Sequence, residues 1–434
     1  MTGVIASNIR RDESGSVLFA GRSVKELAEK YGTPLYLMDE DRIRDNCRMY
    51  RQAFRENFPA GSLPLYACKA ACFRQMARIA AEEGLALDVV SAGEIHTALS
   101  AGFPAEKIYF HGDAKTDDEI RYALEASIGY FIVDNPTELL LLQNAAEQAG
   151  VRQKILLRIT PGIDPHTYEA VNTGRVDVKF GVPLETGQAL QFAKDALSMN
   201  SLEVAGLHCH VGSMVFDEMV FEDTADVMIG FMKQLADQLG YITPVLNLGG
   251  GYGVRYLETD GTVDIPARIS ALAAHIRKRT EEAGLPMPQI LMEPGRSIVA
   301  DAGMTAYTVC NVKRIPGFKN YVIVDGGMAD NPRYCLYEAQ YTVLHVTQSG
   351  GQEDTFDLVG RCCESGDVLQ PAVKLPADIR RGDCVVVCTT GAYNYSMASN
   401  YNRLGRPPVV MLREGKDTIA VRRETLSDLC ALDI

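Results

Sequence analysis

The stretch GRCCESGD, from Gly360 to Asp367, sets two cysteines beside an acid just before a turn. Such a pair can close a disulfide, hold a metal, fill a core or move a proton. The chain's 11 cysteines are an odd number with no C-x-x-C pair, which disfavours a disulfide framework and a zinc ribbon and favours a reducing compartment. A second reactive residue, Lys69, ends the apolar run LYACKA. A lysine of ordinary pKa, about 10.4, is protonated at neutral pH, so acting as a nucleophile requires desolvation or a Schiff base. The alternative is a surface lysine with its stem along apolar neighbours.

Three further motifs carry chemistry. LNLGGGYG (Leu246 to Gly253) has consecutive glycines whose N–H groups can converge on an anion, or simply make a tight turn. Val254 stands where a dinucleotide fingerprint needs its third glycine. EPGRS (Glu293 to Ser297) offers a carboxylate able to keep a heteroaromatic nitrogen protonated and, in Arg296, a cation for phosphate or carboxylate; a buried ion pair between the two is the alternative. In HCH, alternation sets His208 and His210 on one face and Cys209 on the other. A metal centre of this type usually has H-x-H on the first strand, where this chain has Lys69, so no metal is expected and a ring stacked on a flat cofactor fits better. Ser91, Glu94, Asn135 and Glu138 are sufficiently explained as helix caps. A lysine for a Schiff base, a glycine nest for phosphate, an acid for a ring nitrogen and a flat imidazole together fit pyridoxal 5′-phosphate.

The elements that must position these groups form a repeating pattern. The apolar runs LPLYACK, LALDVVS, IYFHG, GYFIVD, KILLRIT, VAGLHCH, PVLNLGG and QILMEPG are each followed by a helical pattern, several with capping boxes or caps. Continuous apolar runs are the mark of parallel strands buried on both faces, so the expected fold is an eight-stranded (β/α)8 TIM-like barrel, α/β in class. Its C-terminal strand ends carry Lys69, Asp88, His111, Asp134, Arg158, His208, His210, the glycines, Glu293 and Arg296. After about Ser297 the sequence is β-rich. Residues 36–298 are expected to form the barrel and residues 299–434 an all-β domain, joined by residues 1–35.

Lys plus Arg number 43 against 56 Asp plus Glu, a net charge of −13 that repels phosphate backbones and anionic lipid. Neither nucleic acid nor a membrane is expected as partner. No apolar run reaches the roughly 18 residues of a membrane helix, and MTGVIASNIRRDESGS lacks a signal-peptide core. A cytoplasmic protein is expected.

With these motifs in hand, the chain resembles the barrel-type, alanine-racemase-like pyridoxal-phosphate decarboxylases, most closely those acting on diaminopimelate. The likeness runs through YACKA, DVVSAGE, HGDAKT, LRITPGIDPHT, TGRVDVKFG, GLHCHVGS, LNLGGGYG, EPGRS, VDGGMADNPRYCLY, CCESGD and GAYNYSMASNYN in order. It implies that Lys69 forms the Schiff base, His210 stacks on the cofactor ring and Glu293 pairs with its nitrogen. Ser213, Gly251 and Tyr393 would hold the phosphate, with Arg296 close by, while Asp88, Arg158, Gly250 and Gly295 complete the cofactor's surroundings. Arg296, Arg333, Tyr337, Glu364 and Tyr393 would contact the amino-acid substrate. It also implies a homodimer whose sites are completed by the partner's CESGD loop. Cys363 would return a proton to the α-carbon, since a thiol of pKa about 8.5 is mostly protonated at neutral pH.

Substrate choice follows from charge. Ornithine, lysine and arginine end in a cation alone, whereas meso-2,6-diaminopimelate ends in an ammonium and a carboxylate. Glu364 supplies the acid, and Arg296 and Arg333 the cations, which favours diaminopimelate and L-lysine as product. Met214, Ala71 and the GRCC segment depart from the family pattern without removing a catalytic group. The rival readings are decarboxylation of another basic amino acid, including a D-enantiomer, a racemase, a non-catalytic regulatory homologue and a metal-dependent hydrolase.

Overall fold

The computed structural model describes residues 5–163, 177–347 and 351–434. The parts of LRITPGIDPHT and TGRVDVKFG that fall within 164–176 lie outside the described residues, as does His166. The chain divides into two compact units, Asn46–Gly253 with Thr262–Gly295, and Met1–Asp45 with Val254–Gly261 and Arg296–Ile434.

In the first unit the eight apolar runs all form strands: β1 (Leu63–Ala67), β2 (Ala86–Val89), β3 (Ile108–Phe110), β4 (Tyr130–Val133), β5 (Gln153–Thr160), β6 (Leu202–His208), β7 (Val245–Asn247) and β8 (Gln289–Met292). Neighbours pair in parallel, β4 with β5 and β8 with β1, so the sheet closes on itself. Closure removes both edges, and every strand can then be apolar on both faces. The interior is filled by a layer that includes Leu65, Ala86, Tyr109, Ile132, Leu156, Ala205 and Leu291, about one residue per strand. Tyr109 and Tyr130 stack there at 4.3 Å.

The helices start where the sequence signals them. Ser91 caps Ala92–Ser100, Asn135 caps Pro136–Ala149, and Thr116 with Glu119 forms a capping box on Asp117–Glu125. One cap residue does more. The Glu138 carboxylate accepts from the Asp134 N–H at 3.0 Å and pairs with buried Lys115 Nζ at 2.6 Å, tying the start of its helix to the end of β4. Burial of a lone lysine would be costly, and this pairing offsets it.

The second unit is built on an antiparallel-rich sheet around the long strand Gly303–Ile315, which pairs with Lys319–Val324, Cys384–Cys388 and Leu35–Asp39. The strand Leu35–Asp39 is absent from the sequence reading. It also pairs in parallel with Val409–Arg413, half of the hairpin that continues into Lys416–Val421. No described helix is long and apolar enough to cross a membrane.

The Asn135 side chain accepts the Glu138 N–H at 2.9 Å, a bond a cap residue makes for stability alone. Asn135→Ala should therefore lower unfolding stability by about 1 kcal/mol in a urea titration while leaving turnover unchanged. A fall in turnover at normal stability would place Asn135 in the site.

Candidate active site

The barrel unit gathers its chemistry at the C-terminal strand ends. Lys69 sits in a 3-10 turn, Cys68–Ala70, directly after β1, with its side chain 44% exposed. Its Nζ lies 3.6 Å from Asp88 Oδ2 on β2. Asp88 is buried, and neither of its oxygens accepts a hydrogen bond among the described residues. Its second oxygen lies 3.6 Å from His111 Nε2. The mouth thus keeps an anion facing the lysine without fully satisfying it.

Glu293, one residue past β8, is the most strongly held group. Asn247 donates to its Oε1 at 2.7 Å, His111 Nε2 lies 3.0 Å from the same oxygen, and His208 Nε2 contacts Oε2 at 3.2 Å. Burial alone would raise this carboxyl, but the two imidazoles outweigh it and hold the group well below the usual carboxylate range. Burial lowers His208 from its ordinary 6.5 to about 4, so that ring is neutral at pH 7. The site therefore holds an ionised acid against a neutral His208 ring. His111 packs edge-on against His208 at 4.9 Å.

His210 lies two residues past His208 and has a different partner. Its Nδ1 accepts the Gly250 N–H at 3.2 Å, which leaves the proton of the neutral ring on Nε2. Burial, then the charge of Lys69, holds His210 well below its ordinary pKa. It is a neutral, oriented, flat ring. The glycine cluster is required by space: a Cβ on Gly250 would sit 2.1 Å from the Glu293 carbonyl oxygen, and one on Gly251 2.3 Å from that of Gly212. A Cβ on Gly295 would meet those of Ala67 and Ala70 at 3.0 and 3.2 Å. Ser213 lies on the bend after His210, and Arg158, near the end of β5, stands 3.5 Å from Asp134 and over the Phe180 ring at 4.4 Å.

The second unit gathers two cations. The Arg296 guanidinium lies 4.7 Å from the Tyr393 ring centroid and the Arg333 guanidinium 5.3 Å from the same centroid, with Tyr337 at 5.2 Å from Arg333. Tyr393 adopts a left-handed backbone, φ 66°, a strained conformation that tends to persist where it has a use. No carboxylate of the described residues pairs with buried Arg333, and its Nε makes no hydrogen bond among them. Two buried cations sharing one ring are poised for an anion.

The GRCC loop separates its thiols. Cys362 is buried, its N–H donates to Asp367 Oδ2 at 2.7 Å, and burial, then the nearby Asp367, pushes its thiol up to about 11. Cys363 is exposed, with its N–H donating to Asn402 Oδ1 at 2.8 Å. Glu364 is exposed and held low, chiefly by the Gly366 N–H at 3.2 Å. Neither Cys363 nor Glu364 bonds Arg333, Tyr337 or Tyr393 among the described residues. Cys335 Sγ, on the helix Arg333–Tyr337, donates to the Gly366 carbonyl at 2.8 Å and so fixes the loop beside that helix.

Lys69, Asp88, His210, Gly250 and Glu293 thus share one mouth, and Arg296, Arg333, Tyr337 and Tyr393 share one cluster. The sequence reading missed His111, His208 and Asn247 as the partners of Glu293, and Tyr256, which accepts from Arg296 Nη1 at 2.7 Å. The signal for Asn247 was an amide inside an otherwise apolar strand.

The barrel and its mouth are those of the pyridoxal-dependent decarboxylases: residues 40–300 match the family described as pyridoxal-dependent decarboxylase, pyridoxal binding domain. The chain is 42% identical to the diaminopimelate decarboxylase of Bacillus subtilis (strain 168), over 98% of this chain and 97% of that one. It superposes with a TM-score of 0.91, at 33% identity and covering 100% and 99% of the two chains, on the M. jannaschii diaminopimelate decarboxylase solved with L-lysine. A lysine/ornithine decarboxylase from Vibrio vulnificus, complexed with cadaverine, matches at TM-score 0.75 and 27% identity over 90% and 98%. This chain belongs to the diaminopimelate decarboxylase family.

The neutral histidines make stability depend on pH. The unfolded chain takes up a proton at each imidazole near 6.5, which folded His208 resists until about 4. Between those values the unfolded state binds more protons, so stability falls as pH drops, by up to about 1.4 kcal/mol per unit for one such group, with His210 acting in the same sense. Glu293 acts lower: its contribution is present above the ordinary carboxylate range and lost as pH falls through its depressed value. Urea midpoints of the cofactor-free protein should fall steadily from pH 6.5 to 4.5, and less steeply in His208→Gln. Equal slopes would mean that His208 is charged in the folded chain.

Proposed function

We propose that the protein decarboxylates meso-2,6-diaminopimelate to L-lysine and carbon dioxide with pyridoxal 5′-phosphate. The observation that carries this reading is the ionised Glu293 set beside an oriented, neutral His210 and a side-chain-free glycine nest. These residues fit the cofactor's three chemical parts: a ring nitrogen that needs an anion, a flat ring that needs a flat face, and a phosphate that needs backbone donors. Lys69 supplies the amine for its aldehyde. Asp88, 3.6 Å from Lys69 Nζ, would partner the lysine when it carries a proton.

When bound, pyridoxal phosphate supplies an electron sink for the pair left behind by the departing carboxylate. Glu293 keeps the ring-nitrogen proton in place, because a carboxylate held low favours a proton on its partner. The turn at Gly250 and Gly251, packed on the Glu293 and Gly212 carbonyls, would present main chain without side chains to the phosphate, with Ser213, Arg158 and Gly295 of the same unit completing its surroundings. Cys363 Sγ returns a proton to the substrate's α-carbon. The exposure of Cys363 and Glu364 supports a homodimer in which this loop serves the partner subunit's site.

The substrate follows from charge and from the family. Diaminopimelate brings a second carboxylate that plain diamino acids lack, and Arg296 and Arg333 would offer it cations. Glu364 would take the distal ammonium.

Carbon dioxide release should be seen with meso-diaminopimelate and not with either enantiomer of ornithine, lysine or arginine. Release mainly from a basic amino acid would keep the cofactor and overturn the substrate. Arg333→Ala should cut diaminopimelate turnover about 100-fold, as loss of a charge-assisted contact does, with cofactor binding by absorbance unchanged. An unchanged rate would remove Arg333 from substrate recognition.

A further inference from the structure

One buried tyrosine has no part in the roles above. Tyr256 accepts a hydrogen bond from Arg296 Nη1 at 2.7 Å, and its ring centroid lies 5.9 Å from that guanidinium. Both residues are 6% exposed. The geometry points to Tyr256 as a positioning residue that aims Arg296 at the carboxylate diaminopimelate retains in L-lysine, an assignment that rests on the function proposed above.

A guanidinium recognises a carboxylate with a planar fork, so the plane and the in-plane rotation of that fork both have to be set. The Tyr393 ring, 4.7 Å away, restricts the plane. The Tyr256 hydroxyl restricts the rotation, by fixing Nη1. Tyr256 is itself immobilised. Its N–H and that of Leu257 both donate to Asp260 Oδ2 at 2.9 Å. Its carbonyl accepts from Thr342 Oγ1 at 2.8 Å. Its ring meets Tyr341 edge-on at 5.2 Å and 86°, and the Tyr341 N–H is held by Gln370 Oε1 at 2.8 Å.

The chemistry of the partner matters as much as its rigidity. A carboxylate in this place would orient Arg296 but would also neutralise it. A phenol orients the cation without adding an opposing charge.

The ligand can be named by what stays. Decarboxylation removes the carboxylate at one end of diaminopimelate, and the one at the other end remains in L-lysine. 1,5-Diaminopentane has the same chain and neither carboxylate. In steady-state assays of the holoenzyme, Tyr256→Phe should raise KM for meso-diaminopimelate about tenfold, the loss of one charge-assisted hydrogen bond, with kcat within about twofold. Cofactor affinity should not move. Inhibition by L-lysine should weaken by about the same factor and inhibition by 1,5-diaminopentane should stay unchanged. In an Arg296→Lys background, Tyr256→Phe should add nothing.

An unchanged KM with normal wild-type turnover overturns the role of Tyr256 alone. So does equal weakening of both inhibitors, or loss of cofactor affinity, which would put Arg296 on the phosphate. A Tyr256→Phe protein that fails to fold also overturns it, because aiming a guanidinium is not a requirement for folding. Wild-type protein without diaminopimelate turnover overturns this role together with the proposed function.

Discussion

The barrel mouth depends on keeping one carboxylate, that of Glu293, ionised in a buried place. Moving a carboxylate from water into a protein interior costs several kcal/mol unless donors replace the lost water. Those donors come from three strands: Asn247 ends β7, His208 ends β6, and His111 follows β3. The β6–β7 register pairs His208 with Asn247, and the β7–β8 register pairs Asn247 with Leu291, two residues before Glu293. A slip of one residue in either ladder would turn a donor out of the mouth. Closure of the barrel is what forbids the slip, since no strand has a free edge along which to move. The apolar layers below the mouth therefore serve electrostatics as well as stability.

The two units solve opposite charge problems by similar means. In the barrel an anion is held by an amide and two imidazoles. In the β-rich unit two cations are held by aromatic rings and a phenol. In each case a rigid frame holds a buried charge in a fixed place. Such preorganised charge is what stabilises charge arriving with a ligand, because the frame does not have to rearrange when it arrives. Asp88 and Arg333 mark the same tendency: both are buried, and both retain polar atoms without a hydrogen bond among the described residues. A buried unsatisfied group is costly enough that its survival calls for an explanation outside the folded chain itself.

How much of this was legible in the sequence depends on the range of the interaction. Local signals read well: each of the eight apolar runs became a strand, and Ser91, Thr116 and Asn135 cap the helices their positions indicate. Lys69, His210 and Glu293 each follow the end of a strand that the sequence marked. The strand Leu35–Asp39 went unread because its partners lie some 270 and 370 positions further on, at Gly303–Ala306 and Val409–Leu412, and nothing local distinguishes it. Asn247 was hidden by the glycines that follow it. Glu138 looked complete as a cap, and its pairing with Lys115 is a contact across 23 residues. Tyr256 lies in a turn with no periodic pattern, and only the folded chain sets its hydroxyl against Arg296.

The paired cysteines show how far one residue of offset reaches. Cys362 and Cys363 have the same side chain and nearly the same place, yet Asp367 separates their fates. Its oxygens accept the N–H groups of Met328 at 2.6 Å and Cys362 at 2.7 Å, and its own carbonyl accepts from Gly360 at 3.0 Å. That clamp draws Cys362 inward, where burial, then Asp367, raises its thiol to about 11. The backbone then has to direct Cys363 the other way, into the open, beside an exposed Glu364. A proton donor works best when it is accessible and its pKa lies near the working pH. Cys362 meets neither condition. Its use is to fill the core and anchor the loop, and Cys363 is the thiol the fold leaves accessible for chemistry.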